Sequence, residues 1–136
     1  MRVFDKELFS SPNIIVHGFV SVNSKAFEEI LSSCVFVIFP SCSEGGSPSV
    51  LTAVGNGALI PIISHESSVS TGNEIFIDSF DFSGIEKAVL QAELYSEYEI
   101  HELMTENLKV VMENNSQDAY YSNLKKIISR IINHEM

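Results

Sequence analysis

Short continuous apolar runs in the first part of the chain predict strands of a parallel sheet. Val35–Phe39 is an unbroken β-branched and aromatic run, which is typical of a strand buried on both faces. A later run contains Pro61, which cannot donate to a β-ladder, so that strand either lies at a sheet edge or pairs over a short length. Four strands are predicted: Asn13–Val20, Val35–Phe39, Ala58–Ser64 and Glu74–Asp78.

Apolar residues at helical spacing predict helices between and after these strands. Asn23 or Ser24 is the predicted N-cap of the helix that follows the first strand. Ser47 is the predicted N-cap of the next helix, with Pro48 at its first position and Gly57 as the C′ residue that ends it. Three more helices are predicted after the last strand, and their apolar stripes are predicted core faces: Ser83–Leu94, Glu97–Asn114 and Ser116–Asn133.

The order of these elements predicts an α/β fold. We expect a Rossmann-like parallel sheet of about four strands with flanking helices and a helical C-terminal tail, in a single domain over residues 1–136. The glycine fingerprint of dinucleotide-binding domains and the P-loop motif are both absent from the sequence.

Composition and charge restrict the function. Hydrophobic residues make up 45% of the chain, and the net charge of −10 argues against a nucleic-acid partner, because a phosphate backbone needs a basic surface. No apolar run approaches the roughly 20 residues of a membrane span, and the first residues lack the apolar region of a signal peptide. We therefore expect a cytoplasmic protein with no membrane span.

The cysteines and histidines predict no metal site. Cys34 and Cys42 have neither a redox nor a zinc spacing, so a reduced pair is expected. The four histidines are scattered without ligand spacing, and His17 is interpreted as a histidine of the first strand. No metal and no cofactor are expected.

The segment Pro40–Gly57 carries the candidate chemistry. An apolar strand stops at Pro40, a glycine-containing turn holds the carboxylate of Glu44, and a helix begins at Pro48. A strand, a glycine turn and a helix N-terminus form the usual pocket for phosphates and sugars in α/β proteins. No lysine or arginine lies between Ala26 and Glu86, so a phosphate in this pocket would need backbone amides or a cation from elsewhere.

This segment resembles a known family, the retaining GT-B glycosyltransferases usually called group 1, in their C-terminal nucleotide-sugar-binding domain. The family pattern is a strand ending in Gly-Phe/Tyr-Val, a helix, a strand ending in Pro-Ser, and then Glu-Gly-x-x-x-Ser-x-x-Glu-Ala-x-x-x-Gly. The resemblance covers the chain from about residue 11 onward. The residues in register are His17-Gly18-Phe19-Val20, Pro40-Ser41, Glu44-Gly45, Ser49, Ala53 and Gly57.

The resemblance implies roles for individual residues. Glu44 matches the first glutamate of the family's paired-glutamate motif, which faces hydroxyls of the donor sugar and is the candidate catalytic residue. A solvated loop carboxylate and a partner of the helix dipole are alternative interpretations of Glu44. Thr52 stands where the second glutamate holds the ribose, and one hydroxyl replaces a carboxylate poorly. The predicted sugar and phosphate contacts are made by Glu44 and by Gly45, Gly46, Ser47, Ser49 and Val50.

The resemblance also implies what the chain lacks. The family's first strands, its diphosphate-binding arginine and lysine, and its N-terminal acceptor domain have no counterpart here. We therefore expect a piece or remnant of a glycosyltransferase that transfers sugar from a nucleotide-diphosphate sugar to a hydroxyl acceptor with retention, and that is inactive as this chain alone. The alternative is a non-catalytic Rossmann-like binding or assembly module. Because the missing strands would leave sheet edges and an apolar face uncovered, a homodimer is also expected.

Overall fold

The computed structural model describes residues 5–43 and 45–133. It confirms an α/β fold with a parallel sheet and a helical C-terminal part. In chain order, the described elements are the helices and strands α1 (Asp5–Ser10), α2 (Lys25–Ser32), β1 (Phe36–Phe39), α3 (Pro48–Gly57), β2 (Ile60–Ser64), a 3₁₀ turn (His65–Ser67), β3 (Ile75–Ile77), α4 (Phe82–Ala92), α5 (Glu97–Asn115) and α6 (Gln117–Ile132).

The sheet has the strand order β1-β2-β3, with both pairs parallel. The amide of Ile60 donates to the carbonyl of Val35 (2.9 Å), so even-numbered β2 residues bond to β1, and Pro61 and Ile63 face β3. Pairing with β3 starts only at Ile62, opposite Ile75, so Pro61 lies before the first paired residue and costs no ladder bond. Of the two alternatives predicted for Pro61, short pairing is the one observed.

The predicted first strand is wrong. Residues 13–20 have no regular secondary structure, and Ile15 and Phe19 are 79% and 97% exposed. A strand forms only where a neighbour accepts and donates its backbone hydrogen bonds, and among the described strands this segment pairs with none. The described sheet therefore has three strands instead of four, and His17 is an exposed residue of an irregular segment.

Two apolar layers cover the sheet. On one face, the isoleucines of β2 and β3 pack against Ala88 and Ala92 of α4. On the other face, Ile63 packs against Val50 and Val54 of α3, and α5 adds Val111. All five residues of β2 are buried, so β2 is the doubly covered central strand.

The prediction that Val35–Phe39 is buried on both faces is wrong. Because β1 is the edge strand, Ile38 remains 47% exposed on the face that α4 covers over β2 and β3. The alternating bond pattern also directs the backbone groups of Phe36 and Ile38 toward the free edge.

A buried asparagine fixes α5 against the sheet. Asn107 is completely buried, and its side-chain nitrogen donates to the carbonyls of Leu59 (3.3 Å) and Asn73 (3.5 Å). Its side-chain oxygen accepts from the Asn73 amide group at 3.2 Å. One side chain on α5 therefore holds both the start of β2 and the segment that leads into β3.

Four of the described helix starts carry side-chain caps, and at α6 the Ser116 hydroxyl accepts from the Ala119 amide at 3.2 Å. The Ser24 hydroxyl accepts from the Phe27 amide at 3.2 Å, as predicted. Asp81 accepts from the Gly84 amide at 2.8 Å, and Ser96 begins α5 with Glu99 in a capping box. Hydrogen bonds of this kind favour a charged carboxylate. The Gly84 amide therefore lowers the pKa of Asp81 below its ordinary value, and the Ser96 hydroxyl does the same for the pKa of Glu99.

The prediction that Gly57 is the C′ residue, just beyond the end of α3, is wrong. Gly57 is the last helical residue, and the left-handed conformation falls on Ala58, whose φ is 53° and whose amide donates to the Val54 carbonyl. A Cβ on Gly57 would lie 3.0 Å from the Leu31 Cβ and 3.2 Å from the Leu59 Cγ. Glycine at position 57 is therefore explained by the close approach of Leu31 in α2 and of Leu59, just before β2.

The prediction that all three C-terminal helices bury their apolar stripes is wrong for α6. Helices α4 and α5 contribute buried residues to the core, but none of the residues of α6 is buried. Tyr120, Ile127 and Ile131 are 63%, 53% and 66% exposed. Among the described helices, none is both long enough and apolar enough to cross a membrane.

Candidate functional site

The candidate site lies where the chain leaves β1 and enters α3. Residues 40–47 connect the carboxyl end of β1 to the N-terminus of α3, as the strand–turn–helix pattern predicts. Glu44, the candidate catalytic residue, lies outside the described residues. The rest of the predicted site consists of backbone and hydroxyl groups around the first turn of α3.

Gly46 gives this turn its shape. Its φ of +106° is a conformation that side chains with a Cβ rarely adopt, and its position borders open space. Gly45 and Ser49 are exposed on either side of the N-cap. The turn therefore presents backbone to the surface at the end of β1, where a ligand could approach closely.

The N-terminus of α3 has an unusual cap. Ser47 is the N-cap and Pro48 follows it, but the Ser47 side chain makes no capping bond. Its hydroxyl is fully buried and donates instead to the carbonyl of Ser67 (3.4 Å). The Ser49 amide lies in the first turn, where helix amides have no intrahelical acceptor, and so at the positive end of the helix dipole. This amide, and not the Ser47 hydroxyl, is the group available to an anion.

Buried hydroxyls line this end of the sheet. Ser64 closes β2 and its hydroxyl donates to the carbonyl of Ser41, so the loops that follow β1 and β2 are tied together. Ser67 is 1% exposed, and within the described part of the chain its hydroxyl has no hydrogen-bond partner.

The predicted contact residues differ in what they offer. The side chain of Val50 is completely buried in the cluster with Val54 and Ile63, so only its backbone could contribute. The Val50 amide already donates to the Ser47 carbonyl at 3.0 Å. Ser47 is likewise fully buried. Among the described members of the predicted set, Gly45, Gly46 and Ser49 remain accessible.

A cavity of about 400 Å³ lies between α3 and α5. Thr52 lines it, and the Thr52 hydroxyl donates to the Pro48 carbonyl at 2.7 Å, so its proton is used within the helix while its lone pairs remain free. Sequence reasoning missed this cavity because one wall comes from α5, about sixty positions later in the chain. The lining residues are Pro48, Leu51, Thr52, Gly55, Asn56, Val111, Met112, Asn115 and Ser116.

The described residues offer little for metal or redox chemistry. No group of three or more histidine, cysteine or acidic side chains comes together among them in a way that could hold an ion. Cys34 is half-buried and Cys42 is exposed, and both are free thiols. His65 stacks on Phe76 with ring centroids 4.2 Å apart.

No protein-family model, no curated protein and no solved structure matches this chain.

Proposed function

We propose that this chain binds a nucleotide-diphosphate sugar as the donor-binding domain of a retaining glycosyltransferase of the GT-B type. The observation that carries the proposal is the exposed turn with Gly46 at φ +106°, which leads into the N-terminus of α3 at the carboxyl end of a parallel strand. This is the arrangement that α/β proteins use for phosphorylated ligands.

Each part of the donor has a counterpart around α3. The diphosphate lies against the exposed backbone of Gly45, Gly46 and Ser49. The role of Glu44 toward the sugar hydroxyls rests on the sequence resemblance alone, because Glu44 lies outside the described residues. The nucleoside lies toward the cavity of about 400 Å³ that Thr52 lines, a volume within the range of small-molecule sites. In the whole enzyme, a sugar would move to a hydroxyl acceptor with retention, and stabilisation of the departing diphosphate would contribute most of the rate.

The same geometry predicts weak binding by this chain alone. The sequence has no lysine or arginine from residue 26 to residue 86, so this segment itself offers the diphosphate backbone amides and no cationic side chain. A charge-assisted hydrogen bond is worth roughly 1.5–3 kcal/mol, so the loss of two of them predicts millimolar affinity. We expect no transferase activity from the isolated chain.

A second candidate is a non-catalytic binding or assembly module that retains the fold. The observation that favours it is that the two hydroxyls near the start of α3 both donate to carbonyls of the protein. Ser47 donates to the Ser67 carbonyl, and Thr52 donates to the Pro48 carbonyl. These bonds stabilise the loop and the helix without a ligand.

Titration of the isolated chain with uridine, guanosine and adenosine diphosphates, followed by NMR chemical-shift changes, separates the two candidates. We expect millimolar binding with shifts at Gly45, Gly46 and Ser49. Ser49→Glu should abolish it, because the new carboxylate repels the diphosphate. Ser122→Glu on the exposed surface of α6 adds the same charge elsewhere and should leave binding unchanged.

Thr52→Glu tests the nucleoside position. We expect it to tighten binding of the preferred nucleotide, because a carboxylate accepts both ribose hydroxyls. Two outcomes would support the non-catalytic module. One is that none of the three nucleotides binds at a concentration about ten times the millimolar dissociation constant expected here, and the other is that Ser49→Glu binds as well as wild type.

A further inference from the structure

Helix α6 has an apolar stripe that nothing in the described chain covers. Seven large residues between Tyr120 and Ile132 are 37–69% exposed, and they recur at helical spacing on one side of the helix. Partial burial within α6 is confined to Ala119 in its first turn. An isolated helix of sixteen residues is marginal in water, so this stripe needs a partner surface.

The charge of α6 is opposite to that of the rest of the chain. Helix α6 contains three cations and one carboxylate, which give it a net charge of +2 in a chain of −10. The cations are Lys125, Lys126 and Arg130, and the carboxylate is Asp118. The apolar stripe therefore runs beside a cationic surface, and its partner should be apolar and acidic.

A surface with these properties exists where α4 ends and α5 begins. Leu90, Leu94 and Tyr98 are 52%, 83% and 70% exposed along it. Five glutamates lie between Leu90 and Leu108, with no lysine or arginine among them. We call this region, Leu90 to Glu106, the α4–α5 surface.

Helix α6 does not pack on the α4–α5 surface of its own chain. Ser116 both ends α5 and caps α6, in an extended conformation with ψ of 162°, and every α6 residue after Ala119 is exposed. The apolar part of the α4–α5 surface, around Leu94 and Tyr98, lies at the opposite end of the 19-residue α5, about 27 Å from Ser116 along the helix axis.

We propose that two copies of this chain associate by exchanging these contacts, with the basic apolar helix α6 of each copy packed on the acidic α4–α5 surface of the other. A two-fold arrangement uses both surfaces of both copies and leaves neither open to a third. Opposite charges favour this pairing over contact between two cationic helices. An anionic lipid surface is disfavoured, because the chain as a whole carries −10.

Sedimentation velocity of the 136-residue chain tests the proposal. We expect a dimer that forms with concentration and weakens with added salt. Lys125→Glu with Lys126→Glu should lower the association constant at least tenfold. Lys6→Glu with Lys25→Glu, two exposed cations on α1 and α2, gives the same net charge and should leave the dimer intact.

A charge-exchange mixture gives the sharpest result. Glu93→Lys with Glu102→Lys should likewise lower the association constant at least tenfold. An equal mixture of this variant with Lys125→Glu/Lys126→Glu should form a heterodimer, because the acidic α6 of one variant then meets the basic α4–α5 surface of the other. Circular dichroism checks that each variant is folded. A wild-type monomer at all concentrations, two dimeric variants, a mixture that stays monomeric, or binding to phosphatidylserine vesicles without self-association would each overturn the proposal.

Discussion

Replacement of Asn107 by alanine should destabilise the fold more than any loss of a surface contact. The substitution removes the bonds to the Leu59 carbonyl at 3.3 Å and to Asn73 at 3.2 and 3.5 Å, all at a completely buried position. A net hydrogen bond is worth about 1 kcal/mol, and a buried carbonyl left without a partner costs a further 1–3 kcal/mol. The higher helix propensity of alanine offsets at most about 0.7 kcal/mol of this loss in the free energy of unfolding.

The expected loss in the free energy of unfolding is therefore about 2–4 kcal/mol. Urea unfolding followed by circular dichroism measures it, and thermal unfolding should show a fall in Tm of about 3–4 °C per kcal/mol. Asn114→Ala is the matched control, because Asn114 lies exposed on the same helix and bonds only to the Val110 carbonyl, at 3.0 Å. We expect the control to change stability by less than about 0.5 kcal/mol.

A double-mutant cycle with Asn73→Ala separates the bond between the two asparagines from the bond to Leu59. We expect a coupling energy of about 0.5–1 kcal/mol, since one neutral hydrogen bond joins the two side chains. If Asn107→Ala loses no more stability than Asn114→Ala, the buried amide does not fix α5 to the sheet and the reasoning is refuted.

The end of α3 and the cap of α4 give the remaining predictions. Ala58→Gly should raise the free energy of unfolding by about 0.5–1 kcal/mol, because relief of a left-handed alanine exceeds the entropy that glycine adds to the unfolded chain. Gly57→Ala should lower it by about 1–3 kcal/mol, since the new Cβ would lie 3.0 Å from the Leu31 Cβ, and equal effects of the two changes in urea unfolding would contradict this account. In the folded state the pKa of Asp81 lies below its ordinary value of 3.8, mainly because of the Gly84 amide. The capping carboxylate therefore stabilises the fold fully above pH 3.8, and this stabilisation is lost as the pH falls through the folded-state pKa. Asp81→Asn keeps a capping oxygen but cannot titrate, so urea unfolding between pH 6 and about 2 should show a shallower acid dependence than wild type, and identical slopes would count against the cap.

The candidate site shows which features a local sequence pattern can predict and which it cannot. Ser47 and Pro48 mark the start of α3, because a helix start depends on residues adjacent in the chain. The inward direction of the Ser47 hydroxyl could not be predicted, since its acceptor on Ser67 comes from a loop twenty positions away. The cavity beside Thr52 needs a wall from α5, so the same limit applies to it.

By itself, the sequence determined the type and place of most elements. The apolar runs of β1, β2 and β3 and the spacing of α2 to α6 follow from side-chain period and caps, which are local properties. Tertiary structure decided which apolar segments are buried. Residues 13–20 have strand-forming residues but no neighbour for their backbone, and α6 has a helical stripe but no covering surface in the described chain. Burial depends on what lies opposite a residue in space, and the period of one segment carries no information about that partner.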